Sequence, residues 1–141
     1  MSTYSLDLSW DAKSDRDHYS WRLQNGSVVE ALQDGKVTQE FMDPEEAFIA
    51  AIASCHMLSF IAEAAKSGYA VDSYHDKPVG VLDKNRQARI YMSTLALHPK
   101  ATFAGDQQPS DDEVQQFHKQ AQKKCFIGNS VLTEVRVEPD F

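Results

Sequence analysis

The segment from Asp43 to His56 constrains the fold more than any other part of the chain. Asp43 suits the N-cap of a helix, Pro44 suits the first helical position, and Glu46 completes a capping box, so the pattern predicts that a helix begins here. Apolar residues then recur at helical spacing as far as Gly68, which suits a helix terminus. About 24 helical residues measure roughly 36 Å, which is long for a small domain. We therefore expect a central helix that packs closely against another helix.

The inward face predicted for this helix carries one of the two cysteines of the chain. We expect this face to consist of Phe48, Ala51, Ile52, Cys55, Leu58, Ser59 and Ala62. The second cysteine, Cys125, lies at the end of a second predicted helix, whose capping box spans residues 110–113. The expected inward face of that helix consists of Val114, Phe117, His118, Ala121 and Cys125. A lone buried cysteine is usually a packing residue, but two cysteines on inward helix faces can meet across a core and carry out thiol chemistry.

Alternation of polar and apolar residues predicts strands around the two helices. The predicted strands cover residues 4–10, 19–23, 27–32, 70–75, 79–83, 88–98 and 131–138. Residues 11–17 read as a polar turn, and Asn25-Gly26 and Asp34-Gly35 are further turn signals. Strands grouped on either side of two helices indicate an α+β fold. Because no linker rich in Gly, Ser or Pro divides the 141 residues, we expect a single domain over residues 1–141.

Composition and charge argue against several classes of function. The chain has 14 Lys and Arg against 21 Asp and Glu, and the resulting net charge of −7 disfavours a nucleic-acid or anionic-membrane partner. The N-terminal residues lack the apolar core of a signal peptide, and the longest charge-free run, residues 47–62, is shorter than the roughly 20 residues that span a bilayer. We therefore expect a cytoplasmic protein, in which both cysteines are reduced at rest and any disulfide is transient.

The histidines do not form a metal-binding pattern. They are His18, His56, His75, His98 and His118, and none has a second ligand at the close spacing typical of metal sites. His118 and Cys125 share a helix face but lie about 10.5 Å apart along it, too far to bind one ion together. His56 projects about 100° away from Cys55 around the helix, so we do not expect it to act as the base for that thiol. We therefore expect no metal, and no Gly-rich phosphate loop indicates a nucleotide cofactor.

A reactive thiolate at Cys55 requires a cation from another part of the fold. Cys55 lies about three turns into its helix, where the positive helix end does little to favour a thiolate. Arg16 is the candidate cation, although its polar surroundings in sequence are more typical of a surface arginine. Glu46 caps the helix, whereas Glu45 has no capping role and is free to hold a guanidinium. Since Glu45 lies roughly 15 Å from Cys55 along the helix, either an arginine lies between them or Glu45 serves the site of a second chain.

Three sequence segments resemble the OsmC/Ohr family, which comprises osmotically induced protein C and the organic hydroperoxide resistance proteins. The segments are Asp43-Pro44-Glu45-Glu46, Ala50-Ala51-Ile52-Ala53-Ser54-Cys55 and Cys125-x-x-x-Asn129-Ser130. The resemblance extends over most of the chain. It implies an OsmC-like α+β fold, in which antiparallel-rich sheets wrap two central helices in an intertwined homodimer with two sites at the subunit interface.

The resemblance also implies roles for four residues. Cys55 matches the peroxidatic cysteine of the family, and Cys125 matches its resolving cysteine. Arg16 matches the arginine that stabilises the thiolate, and Glu45 matches the carboxylate partner of that arginine. The segment around Arg16 lacks the glycines that are usual in the hydroperoxide-resistance branch, and Phe126 stands where that branch has proline. These departures indicate a separate OsmC-like branch.

The implied function is that of a cytoplasmic, thiol-dependent peroxidase that reduces organic hydroperoxides to alcohols in the oxidative stress response. Cys55 would form a sulfenic acid and Cys125 would close a disulfide, which a dithiol or lipoyl-protein reductant reopens. No bound cofactor, nucleic acid or membrane is expected. Two alternatives stay open: a non-enzymatic dimer that binds a small ligand, and a thiol redox sensor that forms the same disulfide but signals to a partner.

Overall fold

The computed structural model describes residues 2–13, 15–32 and 42–141, without the side chains of residues 15–18, 31 and 32. The chain divides into two compact units, residues 1–47 and residues 48–141. The expectation of a single domain over residues 1–141 stays a prediction.

The first unit contains a three-stranded antiparallel sheet. Its strands, in spatial order, are β1 (Asp7–Asp11), β2 (Asp15–Arg22) and β3 (Val28–Leu32). A tight turn joins β2 to β3, in which the amide of Leu23 donates to the carbonyl of Ser27 at 2.8 Å and Gly26 has a φ of 87°. Because a positive φ favours glycine, the predicted hairpin is confirmed at this position. The other predicted turn, Asp34-Gly35, lies outside the described residues.

Helix α1 (Pro44–Lys66) begins at the capping box that the sequence predicts. The amide of Glu46 donates to the Asp43 carboxylate at 2.7 Å, and the amide of Asp43 donates to the Glu46 carboxylate at 3.2 Å. These two bonds satisfy amides that lie at the start of the helix without helical partners. The helix ends just before Gly68, whose φ of 85° suits the left-handed residue that commonly follows a helix.

The second unit adds two sheets and the second helix. In chain order its elements are β4 (Val71–His75), β5 (Val79–Lys84), β6 (Ile90–Leu97), β7 (Lys100–Phe103), α2 (Asp111–Lys124), a short 3-10 turn (Gly128–Ser130) and β8 (Glu134–Val137). β4 pairs with β7 in antiparallel orientation, while β6 lies between antiparallel β5 and parallel β8. The short strand β7, of four residues, was not among the predicted strands.

The core of the second unit consists of two clusters of buried apolar side chains. One cluster consists of Phe60, Ala64, Phe117 and Ala121, and it packs α1 against α2. The other consists of Ile52, Leu95 and Leu97, and it packs α1 against β6. Helix α1 therefore uses one continuous row of residues to contact both α2 and the sheet.

The buried face of α1 differs from the predicted one. The buried residues are Ile52, His56, Phe60 and Ala64, which lie four positions apart. The exposed members of the predicted face are Ala51, Leu58 and Ala62. Apolar residues occur around most of the circumference of α1, so their spacing does not single out one face, and the contacts with α2 and β6 decide it. In α2, the predicted face is confirmed, since Phe117, His118 and Ala121 are buried.

Within the described ranges, α1 is the one helix that is long and apolar enough to cross a membrane, judged by length and composition. Its 23 residues exceed the charge-free run considered in the sequence. The core helix of a soluble protein passes the same test, and α1 has a buried row that packs against α2 and β6. Length and composition are therefore weak support for a membrane span.

Candidate thiol site

Cys125 lies where α2 ends. It is the C-cap residue, with an extended backbone at φ −72° and ψ 105°, and only 3% of the residue is exposed. The chain turns sharply after it, since the amide of Asn129 donates to the carbonyl of Cys125 at 3.0 Å. In this turn the amide of Gly128 donates a hydrogen bond to Cys125 Sγ at 3.3 Å. The Cys125 thiol lies 4.0 Å from the carbonyl oxygen of Ile52 on α1.

The close contact between the amide of Gly128 and Cys125 Sγ explains why residue 128 is a glycine. A Cβ at Gly128 would lie 3.3 Å from Cys125 Sγ, which is tighter than ordinary van der Waals contact. Gly128 is not among the glycines with a positive φ, so the backbone conformation alone does not require glycine. The missing side chain instead lets the amide reach the sulfur.

Cys55 lies on α1 opposite Cys125, and it is half-buried. Both cysteines are free thiols, and their side chains are close enough for the Cys55 thiol to raise the pKa of Cys125. The two predicted cysteines therefore meet across the contact between α1 and α2, although they are far apart in the sequence. A disulfide between them requires the two Cα atoms to lie within about 7 Å of each other.

The surroundings of Cys125 favour its protonated form. Burial and, next, the neighbouring Cys55 thiol raise the pKa of the Cys125 thiol to about 11, against the opposing effect of the Gly128 and Ile127 amides. A cysteine with this pKa is a thiol at neutral pH and a poor nucleophile towards peroxides. Of the two cysteines, Cys55 is therefore the better candidate for the first attack on a substrate.

A cleft of about 160 Å³ reaches the buried Cys125. Its lining residues are Ile52, His56, Gln122, Cys125, Gly128, Asn129, Thr133 and Val135. The polar walls are held in place by backbone carbonyls: the Gln122 amide donates to the carbonyl of Val135 at 2.7 Å, and the Thr133 hydroxyl donates to the carbonyl of Met92 at 2.7 Å. The cleft therefore combines fixed polar groups with apolar side chains next to a thiol.

The other two predicted site residues belong to the first unit. Arg16 lies in β2, where the pairing of Asp11 with Asp15 extends the strand into the segment predicted as a turn. That part of the turn prediction is wrong, because the pairing between β1 and β2 continues as far as Asp11 and Asp15. The side chain of Arg16 lies outside the described part of the chain. Glu45 lies in the first turn of α1, and the roles of both residues stay predictions.

The burial of His56 beside the thiol site was not predicted from the sequence. His56 lines the same cleft as Cys125, and its Nε2 lies 3.0 Å from Nδ1 of His118 on α2. The buried position of His118 on the inward face of α2 was the one signal for this pair. Among the described residues, no group of three or more His, Cys, Asp or Glu side chains could hold a metal ion.

The fold is an α+β fold in which two helices pack beside antiparallel-rich sheets. Each helix contributes one free thiol to a shared site, so the chain is an α+β dithiol protein. The chain belongs to the family of OsmC-like proteins, whose model matches residues 36–140. This match confirms the resemblance read from the sequence and covers the segments that contain both cysteines. No curated protein matches the chain.

Solved structures agree with the fold. An OsmC-like protein of unknown function from Vibrio cholerae is 35% identical, with a TM-score of 0.92, over 99% of this chain and 100% of that one. An organic hydroperoxide resistance protein OsmC from Legionella pneumophila is 14% identical, with a TM-score of 0.75, over 100% of this chain and 98% of that one. The organic hydroperoxide resistance protein OhrB of Bacillus subtilis is 13% identical, with a TM-score of 0.71, over 99% and 98% of the two chains. The last two similarities show the fold alone, and the predicted OsmC-like α+β fold is confirmed.

Proposed function

We propose that the protein is a cysteine-based peroxidase that reduces organic hydroperoxides to alcohols. The observation that carries this proposal is the contact between the Cys55 and Cys125 thiols across α1 and α2. Two solved structures with the same fold are named organic hydroperoxide resistance proteins, which supports the same class of substrate here. The proposal places the protein in the cytoplasm, where thiols are reduced and available for such chemistry.

In the first step, the Cys55 thiolate attacks one oxygen of the hydroperoxide. The O–O bond breaks, the organic part leaves as an alcohol after taking up a proton, and Cys55 is oxidised to a sulfenic acid. We assign the stabilisation of the thiolate to Arg16, with Glu45 holding the guanidinium through a charge-assisted hydrogen bond. In the proposed homodimer, these two residues can come from the same chain or from its partner.

In the second step, the Cys125 sulfur attacks the sulfenic acid of Cys55. The S–O bond breaks, a disulfide forms, and the thiol proton of Cys125 leaves with the hydroxyl group as water. Since the pKa of Cys125 is raised to about 11, this proton is present at neutral pH and the step needs no separate acid. A dithiol, such as a lipoyl group on a partner protein, then reduces the disulfide by thiol exchange.

The experiment that tests the proposal compares two variants in steady-state turnover with cumene hydroperoxide and dihydrolipoamide. Cys55→Ser is expected to abolish turnover, because it removes the attacking sulfur. Cys125→Ser is expected to keep the first reaction with peroxide but to stop after about one equivalent and then become overoxidised. Normal cycling by Cys125→Ser would contradict the resolving role, and normal cycling by Cys55→Ser would contradict the proposal as a whole.

The alternatives give other results in the same assay. A non-enzymatic ligand-binding protein would show no peroxide consumption by the unmodified chain. A redox sensor would form the disulfide after one equivalent of peroxide but would turn over poorly with dihydrolipoamide or any other small dithiol. The comparison with both variants therefore separates all three functions.

A further inference from the structure

A pair of buried histidines joins the two helices that carry the cysteines. His56 on α1 is 1% exposed, and His118 on α2 is 2% exposed. Nε2 of His56 lies 3.0 Å from Nδ1 of His118, and the two ring planes are within 4° of parallel. The His118 ring also stacks on Phe60, with 4.2 Å between ring centroids. Both rings are therefore held in fixed orientations inside the core.

The pair is neutral at physiological pH. Burial lowers the pKa of His56 to about 4, and burial together with the neighbouring His56 lowers the pKa of His118 to about 3. In a neutral pair, one ring nitrogen carries a proton and donates it to the lone pair of the other. The contact is thus one directional hydrogen bond, which has a strict requirement on distance and angle.

Stability alone does not explain a histidine pair at this position. The adjoining cluster already packs α1 on α2 through Phe60 and Phe117, and two apolar residues of suitable shape can replace a buried hydrogen-bonded pair at little cost. A directional bond differs from apolar packing because it fixes how one helix is placed along and around the other. Apolar side chains tolerate small displacements that a hydrogen bond of this length does not.

The position of the pair relates directly to the thiols. His56 follows Cys55 in α1, and His118 lies on the same buried face of α2 as Cys125, about two turns earlier. His56 and Cys125 also line one cleft. We infer that the hydrogen bond between His56 and His118 positions α1 relative to α2 so that the sulfurs of Cys55 and Cys125 can form a disulfide. The two histidines are positioning residues, and the inference deepens the proposed function without depending on a peroxide.

The test measures the equilibrium between dithiol and disulfide in the purified protein. The protein is equilibrated with mixtures of reduced and oxidised glutathione, quenched by alkylation, and analysed by mass spectrometry for the Cys55–Cys125 disulfide. His56→Leu and His118→Leu are each expected to lower the disulfide equilibrium constant about tenfold. This change corresponds to the loss of roughly one hydrogen bond that holds the two helices in place. The double variant is expected to lose no more than either single variant, because one bond is removed in each case.

Two further variants separate positioning from general packing. His118→Asn places an amide near the site of Nδ1 and is expected to retain most of the disulfide equilibrium constant. His118→Gln places its amide one carbon further along the side chain and is expected to lower the equilibrium constant as much as His118→Leu does. Phe117→Leu weakens the same core without touching the pair. It is therefore expected to lower the midpoint of urea unfolding but to leave the disulfide equilibrium constant unchanged. If the leucine variants do not fold, the comparison of Asn with Gln decides the question.

The inference is overturned if the histidine variants change the disulfide equilibrium constant no more than Phe117→Leu does, or if Asn and Gln behave alike. It is also overturned if the unmodified protein forms no Cys55–Cys125 disulfide in the glutathione mixtures. Failure of the proposed function has a different signature: the disulfide would form normally and depend on the histidines, while the protein would not consume cumene hydroperoxide.

Discussion

At the scale of single residues, the properties of the site follow from what surrounds the Cys125 sulfur. Burial and the neighbouring Cys55 thiol disfavour a negative charge there, and the amides after the helix oppose this effect only in part. Cys125 is therefore better suited to react with an electrophile on a neighbouring residue, as a resolving cysteine does, than to react with a substrate from solution. Its reactivity depends on the position of the sulfur more than on its charge.

The position of that sulfur depends on Gly128. Gly128→Ala is predicted to destabilise the protein by about 1–3 kcal/mol, because the added Cβ would lie 3.3 Å from Cys125 Sγ and the packed site must shift to accommodate it. Urea unfolding measures the loss. The matched control places the same substitution in a Cys125→Ala background, where no sulfur opposes the new methyl group. An equal loss in both backgrounds would show that the sulfur is not the cause.

At the scale of secondary-structure elements, the contact between α1 and α2 is sensitive to acid. The pKa of His56 is lowered to about 4 and that of His118 to about 3, below the ordinary value near 6.5. The unfolded chain therefore binds more protons than the folded chain as the pH falls below 6.5. The stabilising contribution is complete above pH 6.5 and is lost progressively as the pH falls towards 4 and 3.

We predict a loss on the order of 3 kcal/mol from His56 alone between pH 7 and pH 4. Urea unfolding midpoints measured across this range test it, with the variant His56→Leu/His118→Leu as the comparison. Carboxylates such as Glu63 and Glu113, whose pKa values are lowered by hydrogen bonds, contribute equally to both proteins, so the difference between the two curves isolates the histidines. Parallel curves would contradict the prediction.

Some parts of the fold depend only on residues that are close together in the chain, and these parts were predicted from the sequence. The capping boxes at Asp43 and Ser110 and the turn at Gly26 depend on residues close in the chain, and all three form as predicted. The buried face of α1 was predicted only in part: Ile52 is buried, whereas Leu58 and Ala62 are exposed, because Ala-rich helices are apolar on most sides and the packing partners select the face. His56 belongs to that face, so its contact with His118 became evident only when α2 was placed.

The candidate site, too, was predicted only in part from the sequence. The helical spacing around Cys55 and Cys125 predicted that both could face a common core, and the effect of the Cys55 thiol on the pKa of Cys125 agrees with that expectation. The role of Arg16 rested on the need for a cation beside Cys55 and on the family resemblance, since no local pattern ties a residue in β2 to a helix far along the chain. Contacts between distant segments depend on how the elements are arranged, which residue spacing does not specify.

At the scale of the whole molecule, we predict that the protein is a homodimer through the exposed side of α1. Leu58 is 63% exposed and Ile61 is 37% exposed, and because they lie three residues apart they occupy the same side of α1. Leu58→Glu is predicted to shift the protein towards a monomer, because a carboxylate is costly to bury in an apolar interface. Analytical ultracentrifugation measures the mass, with Gln116→Glu at an exposed position of α2 as a control that adds the same single negative charge. A monomeric unmodified protein would contradict the prediction.

The intact mass of the protein after reaction with one equivalent of cumene hydroperoxide shows whether the two thiols react together. A cysteine peroxidase that closes a Cys55–Cys125 disulfide is predicted to lose about 2 Da, and peptide mapping is predicted to find the two cysteines joined. An unchanged mass, or a gain of about 16 Da with both cysteines unlinked, would contradict the claim that these two thiols act as one redox pair.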